Sequence, residues 1–328
     1  MKKKIFYLSV LSLMLAVSCS RTPLIFKTEG LNKWRQLATF AFNPETPLWG
    51  RVGPMPDCVL EQMRIWDGRN DYGIYLPGPK EEKIIRECLD LLPEYLSSAL
   101  KTRCAGIYFI SNLAGSGWTD WLLDEKNNIY CYMAFPGHVL SGNLSSLLSA
   151  KEKTCFRDSD ITIKIECGTE YPGFLYILLH EAAHVYDYTV QVTPWVEKTL
   201  KNTGHINMRN SVFTKNIWEQ YNLPVKKFDF PGRTNISFYG FSGGPKLESS
   251  RSPEIYKAAS RSCFPSLYAS MNWAEDFAEM AAFYHLHDIL GQPYKIIVSE
   301  KNSILWMHEP FLQPGLRDRL GLMRSYYK

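Results

Sequence analysis

The stretch LLHEAAHVYDY, from Leu178 to Tyr188, decides the fold because it places two histidines and a glutamate inside an apolar segment. Nearly all the remaining positions of this segment are apolar, so the sequence predicts a helix from about Phe174 to Tyr188 that is buried on all sides. Pro172 stands near its first turn, where proline is favoured. Buried polar side chains without partners cost on the order of a few kcal/mol each. The histidines and the glutamate therefore need partners.

His180 and His184 are four residues apart, so both imidazoles lie on one face of the helix, within reach of one metal ion. Glu181 directly follows the first histidine. A hydrolytic zinc site needs neutral imidazole ligands and a carboxylate that takes a proton from water and passes it to the leaving amine. The HExxH spacing supplies both and is typical of a zinc peptidase helix. The alternative is an ordinary buried helix with a chance match.

A catalytic zinc ion requires a third protein ligand and a position left open for water. The extended HExxHxxGxxH pattern does not apply, because positions 187 and 190 lack its glycine and histidine. The segment NWAEDFAEMAAFYHLHD predicts a second buried helix, from about Asn272 to Leu290, on which Glu275 and Glu279 share a face. A solvated acidic face is the alternative for these two glutamates.

Together, HEAAHVYDY and AEDFAE resemble the gluzincin metallopeptidases, and most closely the family of the anthrax lethal factor catalytic domain. The resemblance covers these two segments and implies that Glu275 is the third zinc ligand. It also implies that Glu279 accepts a hydrogen bond from a zinc histidine and orients it. Tyr268, seven residues before Glu275, matches the tyrosine that stabilises the developing oxyanion in that family. Asp187, three residues after His184, matches a family aspartate and either orients a ligand or stands at the helix end.

Other polar residues are additions or alternatives to this site. Asp276 is rotated by about 100 degrees from the glutamate before it, so only one of the two can face the zinc. His285 and His287 stand near the end of the second helix, where each is either a metal ligand or an ordinary histidine. His205, in a region of turns, is a candidate for an extra transition-state donor.

The chain begins MKKKIFYLSVLSLMLAVSCS, in which three lysines precede an apolar run from Ile5 to Val17. This is an export signal, too short to remain as a membrane-spanning helix. The motif AVSC predicts that residues 1–18 are a lipoprotein signal peptide and that Cys19 is lipidated. We expect an exported protein anchored to the bacterial cell envelope, at the outer membrane, facing the periplasm or the cell surface. The alternative is a plain secretory signal.

The basic bias of the chain belongs to this signal. The formal net charge of the whole sequence is +4, and residues 1–18 contain three lysines and no acidic residue, so the remainder carries +1. Nothing in this charge indicates binding to nucleic acid, and we expect no such partner.

Seven cysteines follow Cys19, namely Cys58, Cys88, Cys104, Cys131, Cys155, Cys167 and Cys263. An odd number leaves at least one free thiol, and their scattered spacing without a CxxC pair argues against a zinc ribbon. In an exported chain one to three disulfides are possible, and the sequence does not give their pairing.

The sequence divides into a leader and one domain. Residues 19–78 mix short apolar groups with turn formers and predict an irregular N-terminal leader, which the sequence leaves open as a pro-segment. Residues 79–188 predict a helical layer, kinked or broken at Pro93, followed by strands and the active-site helix. Residues 189–328 predict a mostly helical part that carries the third ligand.

The individual elements follow from hydrophobic periodicity. The predicted helical layer runs from Lys80 to about Thr102, and the predicted strands are Ala105–Ile110, Ile129–Phe135, Asp160–Cys167 and, near the C-terminus, Tyr294–Val298. An amphipathic segment spans about Leu316–Tyr327. These elements predict an α+β fold with a small mixed sheet packed on the HExxH helix, and the resemblance implies that residues 79–328 are a zincin-like metallopeptidase domain.

The function that these features predict is a membrane-anchored metallopeptidase that holds one Zn²⁺ per chain and cleaves a peptide or protein substrate. An exposed strand edge would bind the substrate by strand addition, and the sequence does not show which strand. One alternative is an exported binding lipoprotein that keeps a zincin fold without turnover. Glu181 argues against it, because a structural zinc site needs no general base. A zinc hydrolase acting on another amide, such as cell-wall peptide, is the other alternative.

Overall fold

The computed structural model of the protein describes residues 31–157, 160–205, 211–301 and 303–327. The predicted signal peptide and the predicted lipidation site, Cys19, lie outside the described residues. Within the described ranges, no helix is both long and apolar enough to cross a membrane.

The described residues form an α+β fold, as the sequence predicts. The helices are α1 (Asp57–Asp67), α2 (Pro79–Asp90), α3 (Glu94–Arg103), α4 (Leu144–Lys153), α5 (Gly173–Val190), α6 (Lys198–Lys201), α7 (Ser252–Ala259), α8 (Trp273–Tyr284) and α9 (Pro314–Ser325). The strands are β1 (Val52–Gly53), β2 (Gly73–Tyr75), β3 (Cys104–Ser111), β4 (Trp118–Leu123), β5 (Ile129–Pro136), β6 (Phe156–Arg157), β7 (Ile161–Glu166), β8 (Trp218–Gln220), β9 (Leu223–Pro224), β10 (Leu247–Glu248), β11 (Lys295–Glu300) and β12 (Ser303–His308).

The main sheet is mixed and has five strands. Strand β3 lies parallel to β5, and β4 pairs antiparallel with β5 at one edge of the sheet. Strands β1 and β2 both pair with β3 on its other side. The central strand β3 is buried along almost its whole length, as a continuous apolar run requires. Strand β4 is not among the predicted strands, because Thr119 and Asp120 interrupt its apolar pattern.

Helix α5, which carries the HEAAH motif, is enclosed by other elements. It packs against β4 and β5 of the main sheet and against α3, α4 and α8. Pro172 precedes its first residue, and Gln191, with a φ of 57°, ends it in the left-handed conformation. The structure thus confirms the predicted buried helix. It also explains the apolar sequence, since α5 is the central element of the largest hydrophobic core.

A separate antiparallel sheet consists of β7, β11 and β12. Strand β7 confirms the predicted alternation, since Ile163 and Ile165 are buried whereas Thr162 and Lys164 are exposed. Its apolar side packs against α4. The predicted strand near the C-terminus is β11, and α9 confirms the amphipathic segment after it.

The described part of the leader is more regular than the sequence predicts. It contains α1, β1 and β2, and both strands join the main sheet. Val59, Leu60 and Met63 of α1 pack with Tyr108 and Tyr132 on one face of that sheet. Turn formers interrupt the short apolar groups of this segment, so its hydrophobic periodicity is too short to predict a helix. The apolar face of α1 is buried only because the main sheet packs against it. This segment is therefore a layer of the fold.

The C-terminal part is less helical than predicted. Between α6 and α7 the described chain forms turns, 3-10 segments and the short strands β8, β9 and β10. Left-handed residues such as Asn216, Gly232 and Tyr239 interrupt any longer helix there.

The predicted helical layer is broken at Pro93, which ends the connection between α2 and α3 and caps α3. Both outcomes follow from residues whose backbone angles exclude a continuing helix.

The seven described cysteines are free thiols, so none of the possible disulfides is formed among them. Six of the seven are buried, and Cys58 is partly buried. Cys104 and Cys131 are register partners in β3 and β5, yet the Cys104 thiol donates to the Gly106 carbonyl at 3.4 Å. The buried cysteines act as small apolar core side chains.

Candidate metal centre

One helix positions the two histidines of the site. His180 and His184 lie one turn apart on α5, and their Nε2 atoms are 3.2 Å apart. Both side chains are largely buried, because α5 is covered by α8 and the main sheet. Two imidazole nitrogens at this separation point at one shared position.

The second helix, α8, supplies the carboxylate. The Asn272 side chain accepts hydrogen bonds of 3.0 Å from the backbone N–H groups of Ala274 and Glu275, which fixes the start of α8 there. Glu275 in its first turn has Oε2 3.1 Å from His180 Nε2 and 3.4 Å from His184 Nε2. The three predicted ligands are thus brought together from α5 and α8, which pack directly on each other.

The three atoms have the spacing that one tetrahedral zinc ion requires. With bonds of roughly 2.0–2.1 Å, two ligands of a tetrahedron lie about 3.3–3.4 Å apart. The observed separations are 3.1, 3.2 and 3.4 Å. Two imidazoles and one carboxylate also form a donor set that zinc accepts at catalytic sites, with a fourth position for water or substrate.

The electrostatics of the site favour a bound positive charge. Burial acts to lower the pKa of His180, but hydrogen bonds to Glu275 and Glu279 outweigh it and raise that pKa to about 10. Burial acts to raise the pKa of Glu275, but His184 and His180 hold it well below its usual range. Because a metal-binding imidazole is neutral, a cation would take the place of the histidine proton.

Glu279 lies behind His180 in a buried polar network. Its Oε1 is 2.9 Å from His180 Nδ1, and its side chain is fully buried. It also accepts hydrogen bonds from Tyr176 and Ser266, and from Lys151 at 3.1 and 3.2 Å. A proton on His180 Nδ1, next to this carboxylate, would leave Nε2 unprotonated for a metal. Glu279 thus lies within ion-pair distance of the histidine that the resemblance implies it orients.

The remaining catalytic candidates line a cavity next to the three ligands. Glu181 is buried beside His180, and burial raises its pKa despite the opposing effect of the two histidines. Thr119 of β4 lies with Oγ1 2.7 Å from Glu181 Oε2. The Tyr268 ring packs at 5.7 Å, centroid to centroid, from the His180 ring, and Tyr268 lines the cavity. Tyr268 is therefore at the predicted site.

Asp187 contacts a loop and not a histidine nitrogen. Its two carboxylate oxygens accept hydrogen bonds of 2.6 Å from the backbone N–H and the hydroxyl of Thr193. Burial raises its pKa to about 6. Of the two roles predicted for Asp187, the structure shows the one at the helix end, where it ties the following loop to α5. Thr193 and Asp187 both line the cavity, so this contact shapes its wall.

The other candidates lie away from the three ligands. Asp276 faces away, as the helical rotation predicts, and forms a buried ion pair with Arg319 at 2.7–2.8 Å. His285 Nε2 lies 2.9 Å from the Leu91 carbonyl, and burial lowers its pKa to about 4. His287 stacks on a phenylalanine, and His205 lies 3.0 Å from the carbonyl of Asn127. His285 and His287 therefore have structural contacts in place of a metal, and His205, the candidate transition-state donor, does not line the cavity beside the three ligands.

A cavity of about 410 Å³ opens beside the three ligands. Aromatic side chains form much of its wall: Trp118, Trp121, Tyr188, Trp195, Tyr221, Phe241, Tyr268 and Trp273. Arg35, from the segment before α1, also lines it and donates to the Trp121 carbonyl at 2.8 Å. A second cavity of about 40 Å³ reaches Glu181 from the side of Lys151 and Tyr239.

Sequence reasoning missed Lys151, Thr119 and Arg35. Lys151 lies on the buried face of α4, where a lone lysine follows Leu144 and Leu148 at helical spacing, and that spacing was its only local signal. Thr119 and Arg35 carry no local signal. Thr119 contacts Glu181, 62 residues away in the sequence, and Arg35 also donates to the Asp120 carboxylate, 85 residues away.

Comparison of the chain with protein-family models, with curated proteins and with solved structures finds no match in any of the three. The resemblance to gluzincins therefore rests on the two sequence segments alone.

Proposed function

We propose that the protein is a zinc-dependent metallopeptidase of the gluzincin type, with His180, His184 and Glu275 as the ligands of one Zn²⁺. The observation that carries the proposal is the triangle of 3.1, 3.2 and 3.4 Å formed by their ligand atoms. A general base next to this triangle supports an enzyme over a structural site. Glu181 is that residue, and it lies in the same cavity.

Zinc, when bound, supplies a Lewis acid for the scissile carbonyl and for water. Glu181 takes one proton from the attacking water and delivers it to the amine nitrogen as the C–N bond breaks. Glu279 holds the proton of His180 on Nδ1, so that Nε2 stays directed at the cavity. Tyr268, which lines the same cavity, would donate a hydrogen bond from its hydroxyl to the oxyanion that develops on the carbonyl.

The edge strand β4 is the proposed binding site for the substrate backbone. Among the described residues its edge away from β5 pairs with no strand, apart from an isolated parallel bridge between Leu123 and Gln36, and β4 lines the cavity through Trp118 and Thr119. At its far end the Trp121 carbonyl is already occupied by Arg35. Alternate residues of a strand direct their backbone groups to the same side. Thr119 therefore presents its N–H and C=O to the cavity, where a peptide can add as an antiparallel strand.

For location, we propose an exported protein that a lipid on Cys19 anchors to the cell envelope. This rests on the sequence of residues 1–19. Peptides or proteins at the envelope are then the substrates.

Metal analysis and proteolysis together test the function. The protein spanning residues 20–328 should bind about one zinc per chain, lose it with Glu275→Ala and largely keep it with Glu279→Ala. Casein cleavage should depend on zinc and vanish in Glu181→Gln while the zinc remains. A parent that binds no zinc after reconstitution would refute the metal site. Zinc binding without cleavage of any peptide would indicate a binding protein.

A further inference from the structure

The backbone of the edge strand passes so close to Glu181 that no side chain fits between them. A Cβ atom on Gly117, the residue before β4, would lie 2.4 Å from Glu181 Oε1, 2.8 Å from Cγ and 2.9 Å from Cδ. Non-bonded heavy atoms prefer roughly 3.5–4.0 Å. Gly117 does not have a left-handed φ, so its backbone conformation is open to any residue. Glycine is required at position 117 because the Glu181 side chain occupies the space that a Cβ atom would need.

The same strand also holds the other carboxylate oxygen. Thr119 Oγ1 lies 2.7 Å from Glu181 Oε2 and 3.1 Å from the Glu181 backbone carbonyl. A hydroxyl at these distances fixes the rotation of the carboxylate relative to α5. Gly117, just before β4, and Thr119, within β4, are two residues apart and therefore meet Glu181 from the same side of the extended chain.

We propose that Gly117 and Thr119 are positioning residues that fix the general base beneath the substrate-binding strand. The inference rests on the proposed function for its catalytic meaning. Thr119 donates to Oε2 and so leaves Oε1 to receive the proton of the attacking water. Because the strand that binds the peptide backbone also holds the base, the distance between the scissile bond and Glu181 is set within three residues of sequence. A side chain at position 117 would displace Glu181 and so change its distance from the scissile bond.

A double-mutant cycle on metal-free protein tests the contact without any need for activity. The three atoms nearest to a Cβ at position 117 all belong to the Glu181 side chain, and Glu181→Ala removes all three. Gly117→Ala should therefore lower the thermal midpoint in the parent. In the Glu181→Ala background it should leave the midpoint unchanged or raise it, since alanine restricts the unfolded chain more than glycine.

Gly53→Ala is the matched control for this cycle. Gly53 lies in strand β1, and a Cβ there would meet no atom of the described residues within 4 Å. Its effect on the midpoint should be the same in both backgrounds. If Gly117→Ala also shifts the midpoint equally in both backgrounds, Glu181 does not depend on Gly117 and the inference is wrong.

The kinetic test uses zinc-loaded protein. Thr119→Val should lower kcat roughly 10- to 100-fold with little change in KM or zinc content, and Thr119→Ser should restore most of it because the hydroxyl returns. Gly117→Ala should lower kcat on the order of 100-fold while zinc is kept. Thr162→Val, on the exposed side of β7, is the control for the loss of a strand hydroxyl.

The two possible failures are distinguishable. A parent that binds no zinc or cleaves no peptide contradicts the proposed function, and the stability cycle still decides whether Gly117 constrains Glu181. An active parent in which Thr119→Val and Thr119→Ser reduce kcat equally would overturn the role of the hydroxyl.

Discussion

Replacing Lys151 with methionine will destabilise the protein far more than replacing a surface lysine. Lys151 Nζ lies 3.1 and 3.2 Å from the oxygens of Glu279, and the exposed fractions of the two side chains are 4% and 0%. Removing one partner of a buried ion pair leaves an uncompensated charge and costs about 3–5 kcal/mol. Glu279 retains Tyr176, Ser266 and His180 as partners. We therefore expect the lower end, about 3 kcal/mol.

Urea denaturation of metal-free protein at neutral pH measures this cost. Lys164→Met is the control, because Lys164 pairs with Glu166 at 3.0 Å with exposed fractions of 58% and 39%, and should cost less than about 1 kcal/mol. The double variant Lys151→Met with Glu279→Leu should recover part of the loss, since it removes both charges. A Lys151→Met cost no larger than that of the control would refute the buried ion pair.

Three further predictions concern stability and catalysis. Burial acts to raise the pKa of Glu279, but Lys151 and His180 hold that pKa at about 2. The ionised carboxylate therefore contributes its full stabilisation of the folded protein above about pH 4.3, and this contribution is lost as the pH falls towards 2. A flat urea-denaturation profile of metal-free protein across this range would contradict the prediction. Asp276→Asn, which breaks the buried pair with Arg319, should cost about 3–5 kcal/mol in the same assay without loss of zinc, and a zinc-depleted variant would instead indicate a role in metal binding. Tyr268→Phe should lower kcat about 100- to 1000-fold with KM nearly unchanged, and an unchanged kcat would exclude it as the oxyanion donor.

Local sequence was sufficient for the elements whose pattern is continuous along the chain. The helix of HEAAH, the alternation of β7 and the break at Pro93 all follow from backbone periodicity and proline geometry, and the structure has each of them. The leader helix α1 and the edge strand β4 were missed because the sheet that buries them is built from distant segments. Their local pattern carries too few apolar positions to reveal this.

The site divides in the same way. Four-residue spacing on a helix places His180 and His184 together whatever surrounds them, whereas Glu275 reaches them across 95 residues of sequence. The sequence also showed, through helical rotation, that Glu275 and Asp276 cannot both face the metal. The role of Asp276 is visible only in the fold, because its partner, Arg319, lies on the separate helix α9.

What the sequence determined by itself is the helix-borne pair of imidazoles with its adjacent carboxylate, since the 3.6-residue turn fixes their arrangement within one element. The tertiary structure alone decided that Lys151 neutralises Glu279 behind His180, and that Gly117, just before the edge strand, and Thr119, within it, meet Glu181. The physical reason is that these contacts join separate elements. Their distances depend on how α4, α5, α8 and β4 pack, and burial in a shared core determines that packing.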